Sequence, residues 1–438
     1  MTMERLNGFC TLSASDILEA AERVGTPVYV YDEALLAQKC AALQRMPSAY
    51  GLTVRYAMKA NSSRALLRMI HDRGLYFDAS SLNEVRRARL AGVPSADLML
   101  TTQEVPQGAD RADLEAMMLQ GLRYNVCSLR QLREVGDFAA ANGIPLAMRI
   151  HPGVGSGESA TRNTGDKYSC FGVHLTDLEQ ALQYAGDRGI VFDCAHVHIG
   201  SGGDPEAWRQ NIDRQLGFVE RYFPQVATVN FGGGLREARM PDEQPADIEA
   251  LGAYAKQRIE AFFARTGRRL HMEIEPGTYV VANAGYAVTR VIDKKQTGPE
   301  GFRFILLDGG MEVNARPLLY GSRHPFYVVS KDGRLLSSEF SPALAQSPCE
   351  AVVIGRCCES GDSQSLDAAG LNVPRRIAEP DIGDLLVIGG AGAYCSSMTP
   401  MNYNSHVQIP ELLLTRDGAL KVIRVRQTLE QMLQNERC

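Results

Sequence analysis

The chain has 438 residues, 45% of them hydrophobic and 22% charged, with 46 Lys and Arg against 51 Asp and Glu for a formal net charge of -5. That length suits about two or three domains, or one barrel with a smaller companion, and an acidic balance without a basic stripe speaks against a nucleic-acid partner. No apolar run approaches the ~20 residues of a membrane helix and no charged-then-apolar leader follows Met1, so a cytoplasmic protein without membrane contact is expected.

Residues Ser13 to Val24 carry apolar positions at helical spacing behind a Ser15-Asp16 start signal, and Pro27 to Tyr31 is β-branched and aromatic enough for a strand. From Glu33 to about Phe262, short apolar strands alternate with helical segments. The strands are Val54–Met58, Leu75–Ala79, Leu98–Thr101, Tyr124–Val126, Leu146–Ile150, Asp193–Ile199, Thr228–Phe231 and Leu270–Glu275. The helices between them include Leu82–Ala91, Ala112–Gln120, Leu129–Asn142, Asp177–Asp187, Ala207–Phe223 and Ile248–Thr266. Alternating βα units demand a parallel sheet, and eight of them fit an α/β (β/α)8 TIM barrel better than an open doubly wound sheet.

After Gly285 the rhythm changes. Ala287–Ile292, Phe304–Leu307, Tyr327–Val329, Ala351–Ile354, Leu385–Ile388 and Leu420–Arg426 read as strands joined by turns, a C-terminal β-rich barrel or sandwich. The expected division is therefore residues 1–32 as a helix and strand joining the β domain, 33–285 as the barrel, and 286–438 as the β domain. No repeat or long linker separates them. Ten cysteines in a chain of this size do not make a disulfide scaffold. None forms a CxxC pair, Cys357-Cys358 being the one adjacent pair, and free thiols are expected.

Five stretches carry candidate chemistry. Tyr56-Ala57-Met58-Lys59-Ala60-Asn61 puts a lysine at the end of an apolar strand, where desolvation would lower its pKa and make it a usable amine nucleophile. It is equally the ordinary strand-end lysine whose stem packs and whose head reaches water. His196-Val197-His198-Ile199-Gly200-Ser201 alternates, so both histidines share a face. They lack a third ligand at a telling spacing, so no metal is expected, and an imidazole lying on an aromatic cofactor competes with a core histidine. Phe231-Gly232-Gly233-Gly234-Leu235 follows a late barrel strand, where glycines let successive N–H groups face a phosphate. Glu275-Pro276-Gly277 ends a strand with an acid that needs a cationic or N–H partner, such as a protonated pyridine nitrogen, unless it only caps a helix. In the β domain, Cys358-Glu359-Ser360-Gly361-Asp362 sets a thiol beside a carboxylate, a possible proton donor.

The ordered set YAMKAN, HVHIGS, FGGGL, EPG, CCESGD and AGAYCSSMTPMNYN resembles the pyridoxal phosphate enzymes of the alanine racemase-like barrel fold. It is most similar to the diaminopimelate decarboxylase branch of the ornithine/diaminopimelate decarboxylase family, over about Pro27 to Asn404. The resemblance implies Lys59 as the Schiff-base lysine, His198 stacked on the pyridine ring and Glu275 at its nitrogen. Ser201, Gly232, Gly233, Gly234 and Gly277 would line the phosphate, with Tyr394 serving phosphate and substrate. Cys358 would return the proton after decarboxylation, across the interface of a homodimer with shared sites. Arg316, Tyr320 and Glu359 would read the far end of the substrate.

One position departs from the pattern. The family usually has EPGR, and residue 278 is Thr; losing such a donor would weaken anion recognition by roughly 1.5 to 3 kcal/mol. The expected activity is thus decarboxylation of an amino acid or amino acid conjugate whose far end differs from that of meso-diaminopimelate, such as a D-ornithine, D-lysine or siderophore-like substrate. The alternative is meso-diaminopimelate itself. An alanine racemase would present arginine to the ring nitrogen rather than Glu275, a non-catalytic cofactor-binding protein would lack residues 286–404, and a decayed paralogue would not keep Lys59, His198, Glu275 and Cys358 together.

Overall fold

The computed structural model describes residues 10–153, 155, 164–341 and 347–437. They form two compact units: Lys39–Arg236 with Pro245–Gly277, and the remainder, comprising the N-terminal segment to Gln38, Glu237–Gln244 and the chain from Thr278 onward. Sequence patterning put these boundaries at 33 and 285. The excursion 237–244 goes with the sheet-rich unit because its hydrogen bonds lie there: Asn283 Nδ2 donates to the Ala238 carbonyl at 2.8 Å and Arg239 Nε to that of Gly390 at 3.0 Å.

The first strand, β1 (Val28–Asp32), belongs to the sheet-rich unit. The next eight make the barrel: β2 (Leu52–Ala57), β3 (Tyr76–Ala79), β4 (Leu98–Leu100), β5 (Arg123–Val126), β6 (Leu146–Arg149), β7 (Phe192–His196), β8 (Thr228–Asn230) and β9 (His271–Ile274). Each pairs in parallel with the next, and β9 returns to β2 with Leu52 opposite Met272, closing the cylinder. The helices between strands start where the sequence supplies an oxygen for the orphan N–H groups of the first turn: Ser81 accepts from Glu84, Ser128 from Gln131, Asp204 from Glu206 and Asp247 from Ala250. Two of them stop at glycines in the left-handed region, Gly189 and Gly267.

Side chains two apart on a strand share a face, so Glu273 and Glu275 both turn into the barrel and build two polar layers. Arg55 forks onto Glu273 with bonds of 2.8 and 2.9 Å, and Arg123 bridges Glu273 at 3.0 Å and Asp193 at 2.7 Å. Burial would push the Glu273 carboxyl up, but Arg55 and then Arg123 outweigh it and hold it low.

The sheet-rich unit continues with β10 (Gly285–Gln296), β11 (Arg303–Leu307), β12 (Phe326–Val329), β13 (Leu335–Ser338), β14 (Pro348–Ile354), β15 (Arg375–Ala378), β16 (Leu385–Ile388), β17 (Glu411–Leu414) and β18 (Leu420–Arg424). Its ten strands run β13-β12-β16-β10-β1-β17-β18, with β11, β14 and β15 continuing from β10. β1 lies antiparallel to β10 and parallel to β17. The helix Ala14–Val24, closed by a Ser13/Asp16 capping box, lays Ile17, Ala20 and Ala21 onto Val28, Val30, Tyr286, Val288, Val387 and Leu412. No helix among the described residues is long and apolar enough to cross a membrane.

Candidate active site

At the C-terminal ends of the barrel strands a cavity of about 100 Å³ is lined by Lys59, Asp78, Ser80, Thr101, Gln103, Arg149, Phe171, His196, His198 and Glu275. This is the face where βα loops converge. Lys59 is not on the strand: β2 ends at Ala57, and Lys59 sits exposed on the single 3-10 turn Met58–Ala60. The expectation of a lysine desolvated by an apolar strand is thereby corrected, because the turn carries its ammonium out of the strand and over the cavity.

Glu275 is buried, with Oε2 3.0 Å from His196 Nε2 and Oε1 accepting from Asn230 Nδ2 at 2.8 Å. Desolvation pushes its carboxyl up. The opposing pull of His196, then of His198 and Lys59, is larger and brings it down to about 2. Asp78, at the end of β3, is treated in the opposite way: burial and the Glu275 charge raise it well above the usual carboxylate range, against the pull of Lys59 and of a hydrogen bond with Thr101. Two acids on one cavity are thus split into one anion and one neutral acid. One Asp78 oxygen, Oδ1, is buried without a hydrogen-bond partner among the described residues.

β7 stops at His196, short of the expected Ile199, so His196 and His198 do not act as neighbours on one strand face. His196 holds Glu275, whereas His198 lies beyond the strand with Nδ1 accepting from the Gly233 N–H at 3.1 Å. Desolvation, with the cations of Lys59 and Arg149, keeps the His198 imidazole neutral, so its remaining proton is on Nε2. Arg149 is buried with its guanidinium carbon 5.0 Å from the Phe171 ring centre.

Within the tri-glycine, Gly232 N–H donates to Asn230 Oδ1 at 2.9 Å and Gly233 N–H to His198 Nδ1 at 3.1 Å. Gly234 N–H alone of the three has no acceptor among the described residues. What the glycines provide is closeness: a Cβ on Gly232 would lie 2.4 Å from the Val197 carbonyl oxygen and one on Gly233 2.6 Å from that of Glu275, while Gly232 and Gly234 also hold positive φ. Ser201 and Gly277 lie in the loops that follow β7 and β9, past the strand ends at His196 and Ile274.

In the sheet-rich unit, Arg316 is 2% exposed and lies between Tyr320 and Tyr394, 5.7 and 5.9 Å from their ring centres. Nη2 donates to Ser322 Oγ at 3.2 Å, and Nε is buried without an acceptor among the described residues. Tyr394 is held at a φ of 57°, unusual for a bulky residue. His324 is buried nearby, its imidazole kept neutral by desolvation and then by Arg239 and Arg316. Cys358 and Glu359 are exposed; Cys358 N–H donates to Asn404 Oδ1 at 2.9 Å, and Glu359 accepts from Tyr403 at 3.3 Å. The thiol that touches a carboxylate is Cys357, on Glu312, and not Cys358 on Glu359 as the sequence order suggested.

Sequence reasoning passed over Asp78, Arg149 and Asn230, and read His196 only as a companion of His198. The signal for each is a polar residue at the end of an otherwise apolar barrel strand. Together these residues fit a phosphorylated aromatic aldehyde with a basic ring nitrogen: an amine over the cavity, an anionic acid within it, an uncharged imidazole, an orphaned carboxyl oxygen and a glycine turn that a Cβ would close.

Residues 35–282 match the family model of the pyridoxal-dependent decarboxylase pyridoxal binding domain. The chain is 33% identical over 426 residues, 96% of each chain, to a diaminopimelate decarboxylase of Escherichia coli (strain K12). To that of Streptomyces coelicolor it is 32% identical, covering 97% of this chain and 92% of the relative. A crystal structure of diaminopimelate decarboxylase aligns with a TM-score of 0.87 at 32% identity, covering 97% of this chain and 96% of the other. A barrel mouth with this chemistry and a match across the whole length lead to one conclusion: the chain belongs to the pyridoxal-dependent decarboxylases, enzymes that use pyridoxal phosphate, and is a carboxy-lyase of the diaminopimelate decarboxylase-like kind.

Proposed function

We propose that this enzyme removes the α-carboxylate, as carbon dioxide, from an amino acid or amino acid conjugate of the diaminopimelate type, with Lys59 anchoring the cofactor and Glu275 holding its ring nitrogen protonated. Bound pyridoxal phosphate supplies a cationic ring that takes up the electrons of the breaking carbon–carboxylate bond. The observation that carries the reading is the pairing of Lys59 with an anionic Glu275 on one cavity.

Each side chain then has a defined task. Glu275, fixed from two sides by His196 and Asn230, accepts the proton-bearing ring nitrogen without reorienting, which is how preorganised charge lowers a barrier. His198, locked by Gly233 N–H, presents a neutral ring face that packs on an aromatic system without competing for its charge. Asp78, neutral, donates rather than accepts. Gly234 N–H, Ser201 and Gly277 are assigned to the phosphate. Cys358 is assigned the return of the proton to the reacting carbon, and Arg316, stacked between Tyr320 and Tyr394, a carboxylate of the substrate, with Glu359 reading an amine.

Thr278 gives the substrate its expected difference, since a hydroxyl does not replace a bidentate guanidinium. Carbon dioxide release from a panel of meso-diaminopimelate, ornithine and lysine enantiomers and their amides tests this. The parent enzyme is expected to prefer a substrate other than meso-diaminopimelate, and Thr278→Arg to raise kcat/KM for meso-diaminopimelate by roughly 10- to 100-fold, the value of one charged hydrogen bond. Strong activity of the parent on meso-diaminopimelate would instead favour the second reading, meso-diaminopimelate decarboxylase proper, which the identity to relatives of that name supports.

A further inference from the structure

Three ligand-type side chains of the sheet-rich unit meet without a part in the reaction above. A Glu312 carboxylate oxygen, the Cys357 sulfur and a His406 ring nitrogen all lie within 4.8 Å of one another. Glu312 and Cys357 are buried and His406 is half-buried. The thiol already donates to Glu312 Oε2 at 3.4 Å.

The backbone around each is held in place. The Glu312 turn takes a bond from Gly310 N–H to Oε2 at 2.9 Å, and Arg356 Nε binds the other oxygen at 2.9 Å. Asp362 ties that turn to the next, accepting from Met311 N–H at 2.6 Å and Cys357 N–H at 2.7 Å. His406 follows the turn Tyr403–Ser405, its N–H on the Tyr403 carbonyl at 3.0 Å and its carbonyl on Asn402 Nδ2 at 3.0 Å. Glu312 and His406 also border a void of about 10 Å³, the size that holds one water or one small ion.

We propose that Glu312, Cys357 and His406 form a binding site for a divalent transition ion of the zinc class, with a fourth position open to water. A sulfur, a nitrogen and a carboxylate oxygen suit a borderline-soft tetrahedral ion and not calcium or magnesium, which take oxygen alone. Bonds of about 2.0 to 2.3 Å place such ligands on edges of roughly 3.3 to 3.8 Å, so the three atoms close by about an ångström, a movement the half-buried His406 ring can supply. On binding, the Cys357 proton leaves to solvent and the thiolate, the Glu312 carboxylate and the dication sum to a neutral cluster. Arg356 stays on the outer oxygen as an orienting partner. The inference does not depend on the proposed substrate.

The test is titration of the chelator-treated, cofactor-loaded full chain with Co2+ and then Zn2+. One Co2+ per chain is expected, with a thiolate-to-cobalt charge-transfer band that Zn2+ abolishes. Cys357→Ser should lose the band, and Glu312→Gln and His406→Asn should weaken affinity by at least about tenfold, since loss of even an outer partner costs roughly 10- to 100-fold. Cys358→Ser and Cys170→Ser, which alter the exposed thiols among the described residues, should keep it. Absence of the band, its survival in Cys357→Ser, or its loss in Cys358→Ser or Cys170→Ser would overturn the proposal. Should Cys357→Ser fail to fold, His406→Asn at a half-buried position decides the matter: undiminished affinity in that variant overturns it.

Discussion

Lys59, Asp78 and Glu275 set one cation and two acids around a single cavity, and the surroundings separate the acids in charge. This division has a pH signature. The Glu275 carboxyl falls from 4.5 in the unfolded chain to about 2 in the folded one, so its stabilisation is complete above pH 4.5 and is lost as pH falls toward 2. Asp78 is raised from 3.8, so its contribution is complete below that value and declines as pH rises through the raised folded value. In the cofactor-free protein at pH 7, Glu275→Gln is therefore expected to lower stability by roughly 3 kcal/mol, as loss of one partner of a buried pair does, and by much less near pH 3. Asp78→Asn should leave stability unchanged or higher at pH 7. Thermal unfolding across this pH range checks both, and a destabilising Asp78→Asn beside a neutral Glu275→Gln would reverse the assignment.

At the scale of elements, the turn after β8 threads backbone past His198 and Glu275 at distances no Cβ tolerates. Gly232→Ala combines a positive φ with a 2.4 Å approach to the Val197 carbonyl. It is expected to cost about 1 to 3 kcal/mol of stability and, by displacing His198 and Gly234, to weaken pyridoxal phosphate binding at least tenfold, read by unfolding and by cofactor titration. Gly267→Ala, at a helix end with open space around it, should leave cofactor binding alone. All eight barrel strands were legible in the sequence because apolar runs of the right length alternate with capped helices. The sheet-rich unit was less so: β13, β15 and β17 were passed over. Each is a short strand, Leu335–Ser338, Arg375–Ala378 and Glu411–Leu414, and polar or charged residues break the apolar run of the first two. Which N–H of the tri-glycine is available, and that His196 rather than His198 bonds Glu275, depends on where β7 and β8 end. A pattern of apolar residues fixes such ends only to within a few positions.

At the scale of the whole molecule, assigning the returning proton to Cys358 in a homodimer that shares its sites makes a prediction that needs no structure of the assembly. Lys59→Ala and Cys358→Ala are each expected to be nearly inactive alone. Mixed and allowed to exchange subunits, they should recover about a quarter of the parent activity, because half the dimers are mixed and one site in each is intact. No recovery would place each site within one chain. The central claim, that Lys59 is the amine that holds pyridoxal phosphate, is tested most directly by borohydride reduction of the cofactor-loaded enzyme followed by peptide mass spectrometry. A pyridoxyl phosphate adduct on Lys59, absent after Lys59→Ala, is the predicted result; an adduct on another lysine, or none, would contradict the account.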